Sequence, residues 1–134
     1  MEKYKVLSVR QPFASLLVSG MKDVENRSRR TNFCGTVLIH ASATMHQRVD
    51  DIKGWEFAGL NEIGKIILEE AEKVKSKNLF SCIIGCVDIV DCVQNHPSKW
   101  AEEGQWHWVC ANARMFDHPI RSVKGKPGFW DINY

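Results

Sequence analysis

The chain has 134 residues, 44% hydrophobic and 25% charged, with a net charge of +2. That balance excludes disordered and fibrous classes and fits one domain over 1–134. No apolar run approaches the ~20 residues of a membrane-spanning helix. None near the start suits an export signal, so a soluble cytoplasmic protein without membrane contact is expected. The net charge is too small to name a partner, but its distribution is uneven: +4 over 1–47, −4 over 48–103 and +2 over 104–134. If the basic ends meet in space, they make a face that attracts phosphate. The five cysteines, Cys34, Cys82, Cys86, Cys92 and Cys110, cannot all pair within the chain. Free thiols in a reducing compartment are expected. Cys82, Cys86, Cys92 and His96 lack the spacing of the common zinc sites, so no metal and no cofactor is expected.

Val6 to Arg10 reads as a short strand. Gln11-Pro12 opens a compact helix whose Phe13, Leu16 and Leu17 share one face, and Gly20 is placed to end it. Asp23 to Arg29 alternates as a strand, with Glu25, Arg27 and Arg29 on one side. Cys34-Gly35 marks a turn or bulge before a strand at Thr36 to His40. Residues 47–77 read as a short helix and then a longer one, with Phe57, Leu60, Ile63, Ile67, Ala71 and Val74 as the apolar stripe. Gly54, Gly59 and Gly64 weaken its start. Leu79 to Val93 predicts a long strand bent near Gly85, and Pro97 to Glu103 a short turn or helix. Trp106 to Ala113 and Met115 to Val123 predict two further strands. Lys124 to Gly128 is a turn by composition, leading to a closing strand at Phe129 to Ile132. The whole predicts an α+β fold: a small, curved β-barrel of about six strands with flanking helices.

The most informative segment is Gly20-Met21-Lys22-Asp23-Val24-Glu25-Asn26-Arg27, which spells G-x-K-x-x-E-x-R. The glycine frees Lys22 to project from a loop, and Glu25 and Arg27 fall on one strand face. Such a +, −, + set can offer donors and an acceptor to a base edge beside a phosphate. A plain surface ion pair is the alternative reading. Trp106 and Trp108 also share a face, with His107 opposite, and at least one is expected to border a cleft and stack on a base. The alternative is that both are core. Trp55, Trp100, Phe129 and Trp130 are expected to serve packing. Arg10, Arg29 and Arg30, with Lys124 and Lys126, can extend a phosphate track if they lie near Lys22. His40 and Ser42 are supporting candidates and form no triad by spacing. Loops for nucleotide triphosphates or dinucleotides, and zinc-protease or hydrolase nucleophile signatures, do not occur.

The motif, with Ser8-Val9-Arg10-Gln11-Pro12-Phe13-Ala14 before it and Leu38-Ile39-His40-Ala41-Ser42 after it, resembles the ASCH domain family. The tail agrees, through Trp106-His107-Trp108-Val109, Ala113-Arg114, Pro119-Ile120 and Gly125-Lys126-Pro127-Gly128-Phe129-Trp130. The likeness is to a small single-domain member of bacterial type. That family is named for homology to a transcriptional coactivator and is similar to the PUA RNA-binding barrels. The resemblance implies a PUA-like barrel and a cleft beside the motif. It also implies a partner that is RNA or a modified nucleoside or nucleotide, bound through Arg10, Lys22, Glu25, Arg27, Arg29, Trp106 and Trp108.

A second function follows from the same resemblance. Compact family members remove the acetyl group from acetylcytidine with a lysine, a threonine and a glutamate, and others are described as nucleases. Lys22 matches the lysine, but the threonine position is Glu25, and a carboxylate cannot replace a hydroxyl nucleophile in one mechanism. Glu25 can still act as a base toward water. Asp88 and Asp91 are the candidates for a further carboxylate. Binding is the first reading and the amidohydrolase or nuclease the second.

Overall fold

The computed structural model describes residues 2–53 and 61–134. Trp55, Phe57, Leu60 and the glycines at 54 and 59 lie outside the described residues. The elements run β1 (Lys3–Gln11), α1 (Phe13–Val18), β2 (Val24–Arg27), β3 (Gly35–Met45), α2 (Gln47–Lys53) and α3 (Glu62–Lys77). They continue with β4 (Cys82–Val93), β5 (Trp106–Ile120) and β6 (Phe129–Asn133). The strands make one sheet in the order β2-β5-β4-β3-β1-β6, in which only β1 and β3 pair in parallel.

The α+β class agrees with the sequence, but the closed barrel does not. β2 and β6 are the two ends of the sheet order and are not hydrogen-bonded neighbours. β2 keeps only four residues, Val24–Arg27, of the expected Asp23 to Arg29 strand, and its ladder is the one with β5. One side chain links β2 to the strand beside β6 instead: Arg27 Nη2 donates to the Ser8 carbonyl on β1 at 2.8 Å. The second correction concerns 106–123, where two strands were expected. A single strand runs to Ile120 because its irregularities are absorbed as bulges rather than breaks. Asn112 takes a left-handed φ of 53° within it. At Gly85, beside one of these register shifts, a Cβ would lie 2.1 Å from the Arg114 carbonyl oxygen, so only glycine permits that approach.

Two cores hold these elements. The larger lies between the sheet and α1 and includes Leu7, Leu17, Val37, Ile39, Ile84, Ile89 and Trp108. The smaller joins α1 to the later helices through Leu16, Val49, Ile67, Ala71 and Trp100. The register of α1 is fixed at its start by the buried side chain of Gln11. Its Oε1 accepts from the Ser15 N–H, and its Nε2 donates to Ser15 Oγ and the Leu79 carbonyl, each at 2.9 Å. At the other end Gly20 turns left-handed at φ 83°. The turn lets the Lys22 N–H reach the Leu16 carbonyl at 3.0 Å. The helix end therefore aims Lys22.

Candidate functional site

A cleft of about 960 Å³ opens beside the end of α1, and Lys22, Glu25 and Arg27 all line it. Strand periodicity supplies much of the rest. Ser8 and Arg10 are two apart on β1, and His40, Ser42 and Thr44 alternate along β3 toward His46; all six line the cleft. Seven cationic residues border it (Arg10, Lys22, Arg27, Arg48, Lys99, Lys124 and Lys126) against the two carboxylates Glu25 and Glu102.

Lys22 and Glu25 are almost fully buried, at 4% and 7% exposure. Lys22 Nζ donates to the Val24 carbonyl at 2.5 Å and to Glu25 Oε1 at 3.4 Å, and stands 5.5 Å from the centre of the Phe13 ring. Arg27 places Nε and Nη2 on Glu25 Oε2 at 2.9 and 2.8 Å, and the same Nη2 serves Ser8. Both oxygens of Glu25 are thus engaged by cations, and the ammonium of Lys22 has a partner in each of three directions. Burying one carboxylate between two cations is tolerable only when its lone pairs are filled in this way. The trio carries one net positive charge and ties the loop after α1, β2 and β1 together.

Opposite chemistry marks the segment between β5 and β6. Arg121 donates to the carbonyls of Asn78 and Lys77 at the end of α3. The Val123 carbonyl accepts from His40 Nε2 at 2.6 Å, which fixes the proton on that nitrogen. Ser8 Oγ donates to the Lys126 carbonyl at 2.5 Å and accepts from Trp130 Nε1 at 2.9 Å. Gly125 lies against the His40 ring so closely that a Cβ would sit 2.6 Å from Nδ1, the one buried side-chain polar atom without a partner among the described residues. This clamped strap presents Lys124 and Lys126 at the cleft, and neither side chain has a hydrogen-bond or ion-pair partner among the described residues.

On the wall formed by β1, β3 and α2 stand Arg10, His46 and Arg48. His46 Nδ1 accepts the Arg48 backbone N–H at 3.0 Å, and Phe13 meets the ring edge-on at 5.0 Å. Burial pushes the pKa of His46 below its usual value, and the guanidiniums of Arg10 and Arg48 push the same way against Glu102 and Glu25. The ring is neutral at pH 7, with its proton on Nε2.

Of the residues singled out in the sequence, the fold brings Arg10, Lys22, Glu25 and Arg27 together at the cleft. Arg29, Trp106 and Trp108 do not line it. Trp108 is buried against Phe129, with Nε1 donating to the Arg29 carbonyl at 3.0 Å, and the Arg30 guanidinium covers the Trp106 ring at 5.9 Å. Their shared strand face is the packed one, so neither tryptophan offers a free stacking surface. Trp100, assigned to packing, does line the cleft while its Nε1 donates to the Met21 carbonyl at 3.0 Å. His107, on the opposite face, is pinned between the His96 N–H and the Glu102 carbonyl. Neither Asp88 nor Asp91 reaches the cleft. Asp88 is held by Thr36, Asn112 and Arg114, and those bonds, the Thr36 hydroxyl first, keep its carboxyl below the usual carboxylate range. Asp91 lines a separate 170 Å³ depression with Cys92 and Arg30. The sequence reading missed Thr44, His46, Arg48 and Lys99. Alternating polar residues from His40 to His46 were the available signal for the first two.

The family model of the ASCH domain matches residues 7–120. Activating signal cointegrator 1 of Homo sapiens is 29% identical over 136 residues, covering 95% of this chain and 22% of its own length. The protein of the same name from Mus musculus is 28% identical, with the same coverage of both chains. The chain therefore spans about a fifth of the length of these curated relatives.

Proposed function

The chain belongs to the ASCH domain family, and on that premise we propose that it is an RNA-binding module that takes a strand segment or single nucleotide into the cleft beside the G-x-K-x-x-E-x-R motif. The supporting observation is the set of cations at the cleft margin, of which Arg10, Lys124 and Lys126 have no partner among the described residues. Phosphate is the ligand group that such unpaired Lys and Arg side chains hold best, and it dominates affinity for nucleic acids.

The motif contributes architecture in this reading, and the cleft margin contributes contact. Both oxygens of Glu25 are held by Lys22 and Arg27, and the carboxylate candidates Asp88 and Asp91 lie elsewhere. Nothing at the cleft therefore favours the amidohydrolase or nuclease over binding. Titration of single-stranded RNA against salt tests the reading. About three phosphate contacts give a log–log slope near −2, and a slope of zero overturns it. Release of cytidine from acetylcytidine, lost in both Lys22→Arg and Lys22→Ala, would replace binding by catalysis.

A further inference from the structure

We propose that Arg10, His46 and Arg48 form a phosphodiester subsite on the wall where β1, β3 and α2 meet, with the His46 ring donating its Nε2–H alongside two guanidiniums. The inference rests on the RNA-binding reading of the cleft and gives the bound strand a fixed point there.

Three features of the structure carry it. All three side chains line one cleft, where the pairing of Gln11 with Met45 brings the ends of β1 and β3 together. The ring is locked: Nδ1 holds the Arg48 N–H, the Gln11 carbonyl accepts the His46 backbone N–H at 2.7 Å, and Phe13 packs against its edge. Its second nitrogen is left without a partner among the described residues, yet it is not among the buried polar atoms. A rotationally fixed N–H that faces solvent inside a basic cleft is a donor prepared for an acceptor.

The charge balance then selects the ligand. Arg10 has no partner among the described residues, and Arg48 has only an exposed contact to Glu102 at 3.4 Å. Exposed pairs of that length contribute little and exchange readily. A phosphodiester oxygen accepts from a neutral imidazole without any proton transfer, and its charge is met by the guanidinium forks. A carbonyl or hydroxyl ligand would leave two guanidiniums uncompensated. An ammonium ligand would be repelled.

The test measures a single-stranded oligouridine against the whole chain over a range of salt, for wild type and for Arg10→Met, His46→Gln and Lys124→Met. Arg10 makes no internal bond among the described residues, so Arg10→Met probes the subsite without disturbing the fold. It is expected to weaken binding about tenfold and to make the salt slope shallower by about 0.7. His46→Gln keeps an N–H donor and stays within about threefold of wild type. On adding RNA, the His46 Nε2 resonance should shift while that of the exposed His118 stays in place. If Lys124→Met weakens binding but Arg10→Met does not and the His46 signal is still, the subsite is wrong and the RNA reading survives. If wild type binds no RNA at low salt, both fall.

Discussion

The buried trio and the strap line the same cleft with the same kinds of side chain, yet they use them in opposite ways. Lys22, Glu25 and Arg27 direct their hydrogen bonds to one another and to the carbonyls of Val24 and Ser8. The strap spends its backbone and its neighbours' side chains on anchoring, through Val123, Gly125 and Lys126, and leaves its lysines unengaged. A charged residue in a motif is therefore no guide to ligand contact by itself. Burial and bond saturation separate the charges that hold a cleft open from those that can meet a ligand.

Removing the shared partner of the trio should have the largest effect. Glu25→Ala leaves two cations facing each other with Lys22 buried, and is expected to cost about 3–5 kcal/mol, the usual penalty for orphaning a buried charge. Chemical denaturation measures it, and a loss below about 1 kcal/mol would mean that the trio is solvated. The strap is tested by Gly125→Ala, whose Cβ has no room against His40. A cost of about 1–3 kcal/mol is expected from overpacking, together with a loss of RNA affinity as Lys124 and Lys126 move. Unchanged affinity would separate the lysines from the strap's anchoring.

Two smaller effects follow from titration. Burial, with Glu25 nearby, pushes the Cys110 thiol up to about 12. An unfolded thiol ionises near its ordinary value, so stability is full below about pH 8.5 and declines as pH rises toward the folded value. Alkylation at pH 8 followed by mass spectrometry should mark the exposed Cys34 and spare Cys110. His46 has the reverse sign. Its folded pKa is depressed, so its contribution is present above about pH 6.5 and fades as pH falls below it. His46→Gln should remove that part of the acid sensitivity, a modest effect because the ring is only half-buried.

The sequence made most of the architecture legible because period-2 and period-3.6 patterns report which faces are buried. They carried α1, the paired helices and the long β4 to within a few residues. Closure was not legible, since it depends on what lies beyond β2, and four residues say nothing about that. Continuity of β5 was also hidden, because a bulge at Asn112 and the shifts near Gly85 resemble a turn in sequence. At the site, Lys22, Glu25, Arg27 and Arg10 were visible through spacing and family resemblance. Trp106 and Trp108 misled because two aromatics on one strand face fit a core as well as a stacking platform. Arg48 and Lys99 were concealed by averaging charge over a segment that sums to −4, although each reaches the cleft.

The most direct measurement compares Lys124→Met/Lys126→Met with wild type, following both thermal stability and the salt dependence of single-stranded RNA binding. Cations without partners contribute nothing to the fold, so the melting temperature should be unchanged. The slope should become shallower by about 1.4, two contacts at about 0.7 each. A variant that melts like wild type and binds RNA with the same affinity and slope would contradict the assignment of ligand contact to the cleft margin.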